Sequence, residues 1–196
     1  MYDTKKIESK KNKFLKVYGE KEQFNQYWFS ENTIEFIVKQ VEKYGKKVAF
    51  VCTPSVFFSV NEEIQKNGIL FDYDEIFTKK SKNAVVYDYK DYSNIKGYDN
   101  YFDFIMVDPP YINEDAWTLF ANFIKKIAKK QDENITILDA KILTCSIEEN
   151  EDFLEKLLNL KKRVYQPSIP HLVYQYNFFS NYEEEELSIK NKEIID

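Results

Sequence analysis

The chain has 196 residues, 43% apolar and 31% charged, and a net charge of −5: one domain's worth, with enough apolar content for a core, which excludes an intrinsically disordered chain. Its glycines are only Gly19, Gly45, Gly68 and Gly97, no two of them close together, so a Walker-A phosphate loop and an ordinary G-x-G-x-x-G dinucleotide site are excluded. Arg163 is the only arginine, and an acidic chain with one bidentate reader of phosphate and guanine is a poor candidate for tight nucleic-acid binding.

Two cysteines, Cys52 and Cys145, are too few for a disulfide framework, and the single histidine, His171, leaves no cluster for zinc, so no metal is expected. The N-terminus is polar and lysine-rich with no apolar run behind it, and no run reaches membrane-spanning length. The expectation is a soluble cytoplasmic protein with no membrane contact.

Residues 1–20 read as a lysine-rich arm or helix, 21–182 as the folded domain and 183–196 as an acidic, frayed tail. In chain order, Ser30 caps a helix over 31–44, with Ile34, Ile37, Val38 and Val41 on one face and Gly45 after it. The apolar run 48–52 is a strand buried on both faces, followed by a helix from Pro54 to Lys66. Strands follow at 69–71, 84–87 and 102–107, then a helix over 113–130 whose Trp117, Phe120, Phe123, Ile124 and Ile127 share a side. A strand at 135–138, a helix at 148–160 and a closing hairpin with a long loop, built from 164–170 and 172–179, complete the pattern. Strand–helix alternation at this spacing gives an α/β fold, an open and mostly parallel sheet with helices on both faces, whose ligand lies at the carboxyl ends of the strands. Asp72, Asp88 and Asp108 follow three of those strands. Such a rim of acceptors suits a ligand rich in hydroxyls and amines, such as a ribose and an adenine.

The strongest chemical signal is Asp108-Pro109-Pro110-Tyr111, directly after an apolar strand. Two prolines fix the backbone and remove two donors, leaving carbonyls of the turn free as acceptors. The aspartate adds a carboxylate and the tyrosine a flat face. Together they hold an amino group by its hydrogens while its lone pair points at an electrophile, as N-methylation requires. His171, in a proline-rich loop, reads as a surface or loop-packing residue.

With this motif the chain resembles the class I S-adenosylmethionine-dependent methyltransferases that carry [Asp/Asn]-Pro-Pro-[Tyr/Phe]. Within them it is most similar to the elongation factor 1-alpha lysine methyltransferases, a family also described as adenine-N6 methyltransferases. The matching pieces run from about Gln23 to Tyr182: Gln26-Tyr27-Trp28-Phe29-Ser30, Thr53-Pro54-Ser55-Val56, Phe71-Asp72-Tyr73-Asp74 ahead of Phe77, Tyr87-Asp88-Tyr89, Asp108 to Tyr111, and an aromatic C-terminal strand ending Asn181-Tyr182.

The resemblance implies a Rossmann-like seven-stranded sheet with an antiparallel C-terminal hairpin, and S-adenosylmethionine as cofactor. It implies that Asp72, or Asp74 if the strand ends later, takes the ribose hydroxyls, and that Asp88 takes the adenine amino group with Tyr89 against the ring. Thr53, Pro54 and Ser55 would face the methionine part, and Gln26 to Ser30 would cover the cofactor or line an amine channel. Asp108, Pro109, Pro110 and Tyr111 would be catalytic, with Asp108 also among the cofactor-binding residues. The implied activity is lysine methylation of elongation factor 1-alpha. The alternative is adenine-N6 methylation of DNA or RNA, which the same tetrapeptide supports.

Overall fold

The computed structural model describes residues 12–130 and 138–194. Its strands are β1 (Val48–Val51), β2 (Ile69–Asp72), β3 (Ala84–Val86), β4 (Phe104–Val107), β5 (Lys141–Ser146), β6 (Lys161–Lys162) and β7 (Asn177–Ser180). They form one sheet in the order β3-β2-β1-β4-β5-β7-β6, parallel throughout except where β7 runs antiparallel to β5 and β6. This is the mostly parallel Rossmann-like sheet with an antiparallel C-terminal edge that the sequence implied. The strand order reverses between β1 and β4, which opens a crevice at their carboxyl ends.

The helices are α1 (Lys13–Val17), α2 (Glu31–Tyr44), α3 (Pro54–Phe57), α4 (Glu62–Asn67), α5 (Glu75–Thr78), α6 (Glu114–Ile127) and α7 (Glu151–Leu158). Strand alternation splits the core in two. Val48 and Phe50 of β1, with Phe104 and Met106 of β4, pack among Ile34, Ile37 and Val41 of α2. Ala49, Val51, Ile105 and Val107 point the other way, onto Trp117, Phe120 and Phe123 of α6 and Leu154 and Leu158 of α7. Ser30 caps α2 as expected, its hydroxyl accepting from Thr33 N at 3.1 Å, and Gly45 closes the helix.

Four local expectations need correction. The helix foreseen over 54–66 is two short helices, because Asn61 caps a new start by accepting from Ile64 N. Of the strand foreseen at 135–138, residues 135–137 lie outside the described residues and Leu138 makes only a single bridge with Lys130; the fifth strand is Lys141–Ser146. The antiparallel pair at the sheet edge is β6 with β7, while 164–170 and 172–176 are irregular: Pro167 and Pro170 have no N–H to give a ladder. Residues 183–194 are not a frayed tail either. Leu187 is fully buried, Glu184 pairs with Lys43 at 2.9 Å, and Glu186 accepts from Gln40 at 2.9 Å, so the acidic segment binds along α2.

Candidate active site

The crevice between β1 and β4 holds a cavity of about 430 Å³. Its floor is set by chain reversals immediately after strands. Cys52, one residue past β1, adopts the left-handed conformation at φ 56° and donates its N–H to Phe71 O at 2.8 Å. This region ordinarily favours glycine. Burial, then the charges of Asp72 and Asp108, hold its thiol well above the usual range, so it stays protonated.

Asp72 ends β2 and is buried. Its Oδ1 accepts from Asp74 N at 2.8 Å, and no donor among the described residues takes its second oxygen. Burial pushes its pKa up to about 7, opposed by the Asp74 N–H bond. Asp74 is differently placed. Its carboxylate caps α5 by accepting from Ile76 N at 3.2 Å, pairs with Lys21 Nζ at 2.5 Å and accepts from Gln26 Nε2 at 3.4 Å. Asp88 lies in the tight turn after β3 and accepts from Lys90 N at 2.9 Å. Beside it Tyr89 stacks on Phe120 at 5.1 Å with planes 8° apart, and sits 5.6 Å from Tyr111.

Asp108 follows β4, its N–H donating to Val51 O at 3.0 Å. Its Oδ1 accepts from Cys145 Sγ at 2.9 Å. Burial pushes its pKa up to about 7, and the thiol hydrogen bond pulls the other way. The next turn departs in one detail from the expectation of free carbonyls: the Asn25 side-chain amide donates to Pro110 O. The Pro109 carbonyl has no donor among the described residues.

The segment 21–28 crosses the cavity mouth, tied to Asp74 by Lys21 and Gln26 and to Pro110 by Asn25. Asn25 turns the chain in the left-handed conformation at φ 53°. Trp28 is buried, with its indole N–H on Tyr18 O at 3.1 Å. Tyr176, from the segment before β7, closes the far wall; burial, then the charges of Asp108 and Cys145, raise its pKa.

The cavity thus brings together Gln26, Tyr27, Trp28, Asp72, Asp74, Asp88, Tyr89 and all four residues from Asp108 to Tyr111. It leaves out five expected residues. Thr53, Pro54 and Ser55 are buried in and before α3, so Cys52 stands in the cavity wall where that loop was foreseen. Phe29 packs in the core against Phe178, and Ser30 is committed to capping α2. Cys52, Asn25, Phe120 and Tyr176 were not singled out as site residues. The first and third carry the signature of core residues, and Asn25 and Tyr176 reach the cavity only through the tertiary fold. His171 lies at the surface with its Nδ1 2.7 Å from Glu20 Oε2.

Among the described residues four buried polar atoms have no hydrogen-bond partner, Gln26 Oε1 and Tyr87 OH in the cavity lining and Trp117 Nε1 and Thr144 Oγ1 outside it. Carboxylates at three strand ends, aromatic faces and a volume in the range of small-molecule sites fit a nucleoside bearing an amino acid.

The model of the family described as "Probable N6-adenine methyltransferase" matches residues 20–184. The chain belongs to this family. Among relatives, an EEF1A lysine methyltransferase 1 of Danio rerio is 27% identical over 176 residues, 84% of this chain and 99% of that protein. A protein-lysine N-methyltransferase of Dictyostelium discoideum is 26% identical over 180 residues, 87% of this chain and 81% of that one. A solved S-adenosylmethionine-dependent O-methyltransferase of Thermotoga maritima is 12% identical with a TM-score of 0.45, covering 79% of this chain and 66% of that one. At that score the likeness adds nothing to the fold already read from the strand order. Membership makes the chain an S-adenosylmethionine-dependent methyltransferase, and the acceptor rim of the cavity suits that donor.

Proposed function

We propose that the chain is a protein-lysine N-methyltransferase of the cytoplasm whose substrate is elongation factor 1-alpha. The observation that carries the reading is the turn after β4, with a cavity-facing carboxylate at Asp108 and a Pro109 carbonyl that has no donor among the described residues, in a chain matched along nearly the whole length of a lysine methyltransferase. S-adenosylmethionine supplies an electrophilic methyl group when bound.

Asp72 accepts the ribose hydroxyls, since Asp74 is already occupied by Lys21, Gln26 and Ile76 N. Asp88 accepts from the adenine amino group, and Tyr89, backed by Phe120, lies against the ring. Gln26 and Tyr27 cover the cofactor from the strap across the mouth.

A lysine amine is charged at neutral pH and must lose a proton to water before it can attack. Asp108 and the Pro109 carbonyl then accept its two N–H hydrogens and aim the lone pair. Pro110 holds the turn through Asn25. Tyr111, Trp28 and Tyr176 offer π faces to the alkylammonium before and after transfer. The residues act by positioning and electrostatics, with no covalent intermediate on the protein. The chain's negative charge steers a lysine-bearing surface toward the cavity.

Radiolabelled S-adenosylmethionine incubated with the protein and, separately, elongation factor 1-alpha, DNA and RNA tests the reading. Label is expected on the elongation factor. Label on nucleic acid alone would replace the reading with the adenine-N6 alternative.

A further inference from the structure

The parallel register that pairs Val107 with Thr144 brings the next residues of the two strands, Asp108 and Cys145, side by side. Cys145 is buried on β5, opposite Phe178 of β7, and its Sγ lies 2.9 Å from Asp108 Oδ1. We propose that Cys145 is a positioning residue for Asp108: its thiol fixes one carboxylate oxygen, so that the other is presented to the acceptor amine. The proposal rests on the reading of Asp108 given above.

Three features support it. The thiol keeps its proton, because burial, then the Asp108 charge and the hydrogen bond, hold its pKa well above the usual range; it is a permanent donor. No other donor among the described residues takes Asp108, so the thiol is the one hydrogen bond that orients the carboxylate there. A thiol is also a weak donor. It orients the carboxylate without strongly favouring its charged form, leaving Asp108 near pH 7. The other titratable groups facing this pair are Cys52 past β1, which senses both Asp72 and Asp108, and Tyr176 before β7. Both thiols and the phenol are neutral near pH 7, so Cys145 is the group whose removal changes Asp108 directly.

The test is a ¹³C NMR titration of protein labelled at its aspartate carboxyls, with the Asp108 signal assigned by its loss in Asp108→Asn. It is run on the parent, on Cys145→Ala and Cys145→Val as donor-free variants, and on Cys145→Ser. Asp108 is expected to titrate at higher pH in both donor-free variants and to return to, or below, the parent position in Cys145→Ser. The acid limb of kcat/KM should move in the same order, with KM for S-adenosylmethionine unchanged and kcat at neutral pH down about threefold to tenfold in Cys145→Ala. Identical Asp108 titrations in all forms, or a shift that serine does not reverse, would overturn the proposal. If Asp108→Ala retained methyl transfer while the titration order held, the amine-orienting reading would fail and the hydrogen-bond effect would stand. If Asp108→Ala were inactive and the order absent, this inference alone would fail.

Discussion

Asp74 donates its backbone N–H to Asp72 Oδ1 at 2.8 Å, and this one bond divides the labour of two acids two residues apart. Asp74 spends its carboxylate on the cap of α5 and on Lys21 and Gln26 of the strap, while Asp72 keeps an oxygen for the cavity. Asp72→Ala should therefore weaken S-adenosylmethionine binding by about a hundredfold, the loss of two hydrogen bonds to a charged acceptor. Asp74→Ala should cost less affinity and more stability. Titration calorimetry with both variants decides; a larger affinity loss in Asp74→Ala would reverse the assignment.

Burial raises both Asp72 and Asp108 to about 7. An acid whose folded pKa lies above its unfolded value holds its proton more tightly in the native state. Its stabilising contribution is complete below about pH 4 and is lost as the pH rises through about 7. The ligand-free protein should lose thermal stability across that window, and Asp108→Asn, which cannot ionise there, should lose less. Differential scanning calorimetry at closely spaced pH values measures it. Parallel curves for the parent and the variant would show that Asp108 does not titrate as described.

Cys52 takes a positive φ with its side chain against the cavity. Glycine removes the backbone strain of about 1 kcal/mol, so Cys52→Gly should change stability by no more than about that amount. Cys52→Val puts a β-branched residue in the left-handed region and should cost about 2 kcal/mol or more. Urea denaturation of the two variants reads both values, and equal stability of the two would contradict the conformational argument.

Phe120 is buried in α6 and supports Tyr89 face to face. Phe120→Leu keeps an apolar side chain and removes the stack, worth about 0.5–1.5 kcal/mol. Cofactor affinity should fall about threefold to tenfold, since Tyr89 loses its backing. Unchanged affinity by calorimetry would take Tyr89 out of the adenine pocket.

Elements with strong periodicity or apolar continuity were legible in the sequence. α2 was bounded at both ends because Ser30 and Gly45 carry local cap chemistry, and β1 and β4 because strands buried on both faces read as unbroken apolar runs. β5 was missed because Thr144 and Ser146 interrupt its apolar character, although both are buried. β6 consists of two lysines at a sheet edge, where charge protects the edge and erases the hydrophobic signal. In the site, the strand-end acids and the turn from Asp108 to Tyr111 could be named because strand ends are local features. The occupation of Asp74 by Lys21 and of Pro110 by Asn25 could not, since those partners are 53 and 85 residues away in the chain. Thr53 to Ser55 lie outside the cavity lining because the loop after β1 holds its cavity-facing position with Cys52, one residue earlier.

The central claim is that Asp108 orients a protein lysine for methylation. Mass spectrometry of elongation factor 1-alpha after incubation with S-adenosylmethionine and either the parent protein or Asp108→Ala tests it most directly. The account predicts one or more methyl groups on a lysine with the parent, a loss of transfer of about a hundredfold or more with Asp108→Ala, and cofactor binding largely intact in that variant. Equal methylation by both proteins, or methylation confined to adenine in nucleic acid, would contradict it.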